Sequence, residues 1–299
     1  MPRAVVNVLV ASDDKIEVEY ETFGSPLDAP LLLIVGFGAQ LTLWPDGFCA
    51  MIADLGYYVI RFDNRDCGLS TKLDGVDVDV EGVIMAALSE QPELSPPVPY
   101  TLSDMASDAI GLLDHLGIAR AHIVGQSMGG MIAQTVAIEH GAYTLSLTSI
   151  MSNPGDPTIG QPLPEAGAVL LAPAATSRQA YIDSSVNWMV WQSKKYTNAD
   201  AVRAQAAIDF DRSFYPEGAD RQLAAIYASG NRSAMLASLD TPTLVIHGRD
   251  DTLLPPAGGI RTAELIDGAN LLLMADMGHD FPEPLWPVLV DAIVANTKR

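Results

Sequence analysis

Apolar runs of strand length alternate along the chain with segments of helical periodicity. Residues 31–35 are continuously apolar, the pattern of a parallel strand covered on both faces. Residues 101–116 predict a helix, because Thr101 can cap it and Asp104 gives it a capping-box-like start. Such alternation favours a mostly parallel central sheet with helices on both faces, an α/β fold. Further strands are predicted over 5–23, 58–62, 121–124, 145–151, 243–247 and 269–274, and further helices over 44–55, 128–138 and 285–295.

Residues 153–239 interrupt this alternation. The segment begins with Pro and Gly and continues with helix-like stretches that carry many aromatic residues. We interpret it as a helical cap inserted into a core formed by residues 1–152 and 240–299. Its aromatic residues could line an apolar substrate pocket, although any single one is expected to pack the cap against the core. A second irregular stretch, 73–99, contains a predicted helix around 83–88 and is a candidate for the pocket rim.

The composition excludes several kinds of partner. The chain has 299 residues, with 37 acidic residues against 17 basic ones and a net charge of −20. This charge would repel nucleic acids and anionic membranes and favours encounter with neutral or cationic substrates. No segment approaches the length of a membrane span, and the N-terminal residues predict a strand instead of a secretion signal. Two cysteines form no disulfide framework in a chain of this size, so we expect a cytoplasmic protein.

The motif with the clearest chemistry is Gly-Gln-Ser-Met-Gly at residues 125–129. A predicted strand precedes it and a predicted helix follows it, as in a nucleophile elbow. A serine on such a sharp turn presents its hydroxyl beside the N–H groups of the helix N-terminus. A side chain at either glycine would crowd the turn. The pattern therefore indicates that Ser127 is a nucleophile.

A serine hydroxyl needs a neighbouring base, and His279 is the candidate among five histidines. It follows a predicted strand in a loop, at the carboxyl edge of the sheet where Ser127 also lies. The other four are expected to be structural. A carboxylate should orient the imidazole, and local chemistry allows either Asp250 or Asp251 after the strand that ends at His247. The order Ser, Asp, His along the chain is that of α/β-hydrolases.

Five stretches together resemble α/β-hydrolases over nearly the whole chain. They are residues 32–38, 61–70, 122–130, 245–251 and 277–279. The resemblance is greatest to the esterase branch that includes aclacinomycin methylesterase. It implies an α/β-hydrolase fold with an inserted helical cap. At residue 35, where many members of the family carry histidine, this chain has Val35.

The resemblance also implies roles for individual residues. The acid three positions after the glycine of the His-Gly turn maps to Asp251, whereas Asp156 is the counterpart of the acid that some relatives use instead. The backbone N–H groups of Phe37 and Met128 would form the oxyanion hole. The turn at residues 63–66 resembles a structural turn of the family and is given no catalytic role.

These residues predict a serine hydrolase that cleaves a small-molecule carboxylic ester through an acyl-enzyme. In this prediction, Asp251 orients His279, which takes the proton of Ser127. Neither a cofactor nor a metal is implied, and the oligomeric state stays open. The alternatives are a perhydrolase, a carbon–carbon bond hydrolase or a non-catalytic ligand-binding module. A dinucleotide site at residues 125–130 is disfavoured, because the glycine spacing does not fit that motif.

Overall fold

The central sheet positions everything else in the molecule. The computed structural model describes residues 2–8, 15–89 and 91–299. Within them lie the strands β1 (Arg3–Val8), β2 (Lys15–Phe23), β3 (Ala29–Ile34), β4 (Tyr57–Phe62), β5 (Ala121–Gln126), β6 (Thr144–Ile150), β7 (Thr243–Gly248) and β8 (Asn270–Met274). These eight strands form one sheet in the order β1-β2-β4-β3-β5-β6-β7-β8. β2 pairs antiparallel with β1 and β4, and all other neighbours are parallel, which confirms the predicted α/β fold. Residues 9–14 of the predicted 5–23 strand region lie outside the described residues.

Helices cover both faces of the sheet, and alternate residues of β3 show why this strand is continuously apolar. Leu32 and Ile34 pack into a core shared with the helices α3 (Leu102–His115) and α4 (Met128–Glu139). Leu31 and Leu33 pack on the opposite side with α1 (Asp46–Ala53) and α11 (Trp286–Thr297). Solvent reaches none of these four side chains. The other helices of the core are α2 (Val80–Leu88) and α10 (Ala257–Leu265).

The ends of two helices show how local sequence sets their bounds. The predicted capping box of α3 is confirmed, because the Thr101 N–H donates to the Asp104 carboxylate at 2.8 Å and Thr101 caps Asp104 in return. The predicted start of the first helix at Trp44 is wrong. Pro45 follows Trp44 and disfavours helical backbone there, so Trp44 is extended and α1 begins only at Asp46.

Between β6 and β7 the chain leaves the sheet for a long helical segment. Its helices are α5 (Pro164–Leu170), α6 (Arg178–Ser184), α7 (Ala199–Arg212), α8 (Glu217–Ala228) and α9 (Ser233–Leu236). This segment begins at the carboxyl end of β6, at the sheet edge where the carboxyl ends of all the parallel strands meet, and it leads back to the amino end of β7. No helix among the described residues is long and apolar enough to cross a membrane.

Candidate active site

Ser127 lies between the last residue of β5 and the first residue of α4. Its backbone has φ 56° and ψ −125°, a conformation that a non-glycine residue adopts only under strain. A Cβ atom at Gly125 would lie 2.0 Å from the carbonyl oxygen of Gly129, and one at Gly129 would lie 2.2 Å from that of Ile34. The turn can therefore close only with glycine on both sides of the serine. This is the strand–turn–helix geometry that the sequence predicts.

Three side chains that are far apart in the sequence meet at the carboxyl edge of the sheet. The Nε2 atom of His279 lies 2.9 Å from the Oγ atom of Ser127. On the other side of the ring, Nδ1 lies 2.7 Å from Oδ2 of Asp251. A carboxylate can only accept, so Nδ1 carries the proton and Nε2 accepts the hydrogen bond of the serine hydroxyl. An imidazole held in this way can receive the hydroxyl proton.

Asp251 is held rigidly and in its ionised form. Its second oxygen, Oδ1, accepts the backbone N–H groups of Leu253 at 2.9 Å and Leu254 at 2.8 Å. Burial by itself would raise the pKa of this carboxyl, but the electrostatic attraction and hydrogen bonds that His279 and His247 offer outweigh that effect and lower it. The carboxylate is thus prepared to stabilise an imidazolium next to it.

The two other candidate acids lie elsewhere. Asp250 points away and forms an ion pair with Lys194 at 3.5 Å. Asp156 accepts the N–H and the hydroxyl of Thr158, at 2.9 and 2.7 Å. Among the residues that the structure describes, Asp251 is the only one whose carboxylate lies within 4.0 Å of the His279 ring nitrogens.

His247 lies next to this group, which the sequence did not indicate. Its fully buried Nε2 atom lies 2.7 Å from the carbonyl oxygen of Leu254 and 3.4 Å from Oδ2 of Asp251. A carbonyl oxygen can only accept, so Nε2 carries the proton and Nδ1 is bare. The ring packs against Gly259, where a Cβ atom would lie 2.3 Å from Nδ1. His247 is structural, as expected, and it supports the loop that carries Asp251.

Two backbone N–H groups flank Ser127. Met128 is the first residue of α4, where an N–H group has no acceptor within the helix. The loop after β3 approaches from the other side, so that a Cβ atom at Gly36 would lie 3.0 Å from that of Ser127. Within the described residues, the next N–H group, that of Phe37, donates to no backbone acceptor. Paired donors in this arrangement can hold an oxyanion.

Side chains from distant parts of the sequence fix this loop. The amide of Gln222, on α8, accepts the Gly38 N–H at 2.9 Å and donates to the Arg65 carbonyl oxygen at 2.8 Å. From the turn after β4, Asn64 donates to the Val35 carbonyl oxygen at 2.9 Å. The turn at residues 63–66 thus has a structural role. No short-range pattern marks Gln222 as part of the site.

The Ser127 hydroxyl opens into a cavity of about 360 Å³, which we call the Ser127 cavity. Apolar side chains form most of its wall. The predicted rim, 73–99, contributes Ala87, Leu88 and Ser95. Other wall residues come from the inserted segment and from the loops at the sheet edge, and include Phe37, Met131, Leu223, Ile226 and Leu254. The cavity therefore suits an apolar group next to the reacting carbon.

One cationic side chain lies in this wall. Arg232 is buried, and desolvation lowers its pKa to about 10. It donates to the carbonyl oxygens of Asn153 at 3.0 Å and Gly230 at 3.4 Å, and to the side chain of Gln134 at 3.2 Å. These contacts join the beginning and the end of the inserted segment to α4. No local pattern in the sequence predicts this role of Arg232.

Comparisons with known proteins concern the family and the fold of the chain. A sequence model of the alpha/beta hydrolase fold matches residues 29–283. The chain is 28% identical to rhodomycin D methylesterase DauP of a Streptomyces species, an alignment that covers 95% of this chain and 96% of the relative. It is also 27% identical to a 2-hydroxy-6-oxononadienedioate/2-hydroxy-6-oxononatrienedioate hydrolase of Burkholderia vietnamiensis, with 92% and 88% covered.

Among solved structures, the chain is similar to a thermophilic esterase from Thermogutta terrifontis. The two superpose with a TM-score of 0.72 at 21% identity, over 99% of this chain and 100% of the other. At that identity the likeness establishes a shared fold. The long alignment with the methylesterase extends the likeness to the sequence, across the sheet and the inserted segment together.

Proposed function

The chain belongs to the alpha/beta hydrolase fold family, and from this premise we propose that it hydrolyses a carboxylic ester through an acyl-enzyme. The observation that carries the proposal is the unbroken hydrogen-bond chain from Ser127 through His279 to Asp251, at 2.9 and 2.7 Å. A ligand-binding module has no need for a buried acid, a base and a strained serine in line. Such a row of hydrogen bonds activates a serine hydroxyl for attack on a carbonyl carbon.

The reaction begins when Oγ of Ser127 attacks the ester carbonyl carbon and gives its proton to Nε2 of His279. The carbonyl oxygen becomes an oxyanion, which accepts hydrogen bonds from the N–H groups of Phe37 and Met128. Collapse of this intermediate breaks the bond to the alkoxy group, which takes the proton from His279 and leaves as an alcohol. Water then attacks the acyl group, His279 again moves the proton, and the carboxylic acid is released.

The relatives and the cavity support an ester among the possible substrates. The relative aligned over 95% of this chain is a methylesterase, which favours a small alkoxy leaving group. The apolar wall of the Ser127 cavity suits a hydrophobic acyl group beside it. Carbon–carbon bond hydrolysis and perhydrolysis are the alternatives on the same residues. Rates on a methyl ester, on a diketone and in peracid formation compare the three chemistries directly.

We further propose that residues 153–239 act as a cap over the site. Support comes from α8, whose Gln222 holds the loop after β3 and whose Leu223 and Ile226 face the Ser127 cavity. Arg232 fastens the far end of the segment to the core. A cap anchored in this way would shield the acyl-enzyme from bulk water.

The direct test is substitution of the nucleophile. Ser127→Ala removes the attacking oxygen, and we expect hydrolysis of an apolar methyl ester to fall by at least about 10⁴-fold with an unchanged melting temperature. Ser107→Ala, on α3 and outside the site, is the matched control and should keep wild-type turnover. Turnover by Ser127→Ala close to that of the control would overturn the proposal.

A further inference from the structure

A second cavity lies beside the first. Its volume is about 720 Å³, and it shares the wall residues Phe37, Leu170 and Leu223 with the Ser127 cavity. One side of it is the loop at residues 37–40 and the turn at 66–68, and the other is the inserted segment. The two cavities are therefore adjacent, with these three side chains at their common boundary.

Four aromatic rings lie among the aliphatic side chains that the inserted segment supplies to this wall. Tyr181 packs edge-on against Trp188 with ring centroids 5.5 Å apart and against Phe214 at 5.4 Å. Tyr215 completes the set. We call this space the aromatic cavity. Ring faces carry partial negative charge and attract cations, most strongly where water is partly excluded.

The charges in the wall have one sign. Among the described residues that line the aromatic cavity are four acids, Asp66, Glu81, Asp209 and Asp220, and no lysine or arginine. Two of the acids, Glu81 and Asp220, are exposed to solvent. A third, Asp66, is neutralised, because Arg221 binds both of its oxygens at 2.8 and 2.9 Å.

Asp209 is different, because among the described residues no cationic group lies within 4.0 Å of its carboxylate, although the charge of the more distant Arg212 lowers its pKa in part. Its Oδ1 atom accepts the Gln205 amide at 2.9 Å and the Thr42 hydroxyl at 3.3 Å. The described residues provide no further hydrogen bond and no ion pair to this side chain, since the nearby Arg212 pairs with Asp63 at 2.8 Å. Burial raises the pKa of the Asp209 carboxyl. Burying part of a carboxylate without a counter-ion costs free energy. A cation bound from outside the chain would offset this cost.

We propose that the aromatic cavity binds an alkylammonium group, with Asp209 as the counter-ion and the rings of Trp188 and Tyr181 as the cation–π surface. As part of the proposed function, the substrate is then an ester that carries a protonated or quaternary amine. Its acyl carbon lies at Ser127 and its amine lies in the aromatic cavity. The net charge of −20 also favours the encounter with such a cation.

The test measures binding alone, so its outcome does not depend on the esterase assignment. In the Ser127→Ala protein, quenching of tryptophan fluorescence is titrated with phenyltrimethylammonium and with its uncharged isostere, tert-butylbenzene. We expect the cation to bind about tenfold more tightly than the isostere. Equal affinities for the two probes would overturn the proposal.

Two variants that each remove one charge from the same helix then locate the site. With Asp209→Asn, the preference for the cation should fall about tenfold while the affinity for tert-butylbenzene stays constant, which also shows that the cavity is intact. Asp200→Asn, at the exposed start of α7, should leave both affinities unchanged. If Asp209→Asn keeps the preference, or Asp200→Asn loses it equally, the cation is held by the overall charge and not by this cavity.

Discussion

The two halves of the candidate site are built by different means. On the sheet side, Ser127, Asp251 and His279 lie in loops that follow the ends of three parallel strands. Hydrogen bonds with backbone groups hold all three: Asp251 within its own loop, Ser127 to β6, and His279 to a carbonyl oxygen of the inserted segment. On the side of the inserted segment, position depends on long-range side-chain contacts. Gln222 and Arg232 reach across more than ninety residues to the loop after β3 and to α4.

This difference separates the chemistry of the site from its selectivity. Parallel strands bring their carboxyl ends to one edge in any sequence that folds this way, so the reacting groups meet wherever the fold forms. The helices of the insertion can change their side chains without disturbing that edge. We infer that the sheet side determines what reaction occurs and that the insertion determines on which molecule it occurs.

On the sheet side, a change of one side-chain atom should remove most of the activity. Asp251→Asn removes the charge that orients and stabilises protonated His279, and we expect kcat to fall by about 10³–10⁴-fold. The adjacent Asp250→Asn is a close control, because the Asp250 carboxylate contacts the ammonium group and the backbone N–H of Lys194 and not His279. Steady-state kinetics on one ester would measure both. Similar losses of kcat in the two variants would show that Asp251 does not orient or stabilise His279 during the reaction.

A smaller effect is expected where the two halves meet. Gln222→Ala leaves the Gly38 N–H and the Arg65 carbonyl oxygen without their partner, a loss of about 1–3 kcal/mol. The loop that carries the Phe37 N–H then loosens, so kcat should fall about tenfold with little change in KM. Gln179→Ala, on the exposed face of α6, is the matched control. A rise in KM at constant kcat would instead assign Gln222 to substrate binding.

The sequence predicted the sheet side well because its signals are local. The apolar run of β3, the capping box at Thr101 and the glycines around Ser127 each act on neighbours a few residues away. Between Asp250 and Asp251, local chemistry alone could not decide, and the family resemblance pointed to Asp251. The structure places that residue at the imidazole of His279.

The insertion side could not be predicted in the same detail. A glutamine on an amphipathic helix, such as Gln222, has the same local pattern whether it faces solvent or a loop far away in the sequence. Arg232 would be expected at the surface, and only the fold shows that it is buried. Asp209 also resembles any acid near a helix end until its neighbours are known.

Covalent trapping would show whether Ser127 is the nucleophile. The wild-type protein is treated with a fluorophosphonate, digested and examined by mass spectrometry. We expect one modified peptide, with the added mass on Ser127, and no modification in the Ser127→Ala variant. A stable label on another residue, or an unlabelled wild-type protein that still hydrolyses esters, would contradict it.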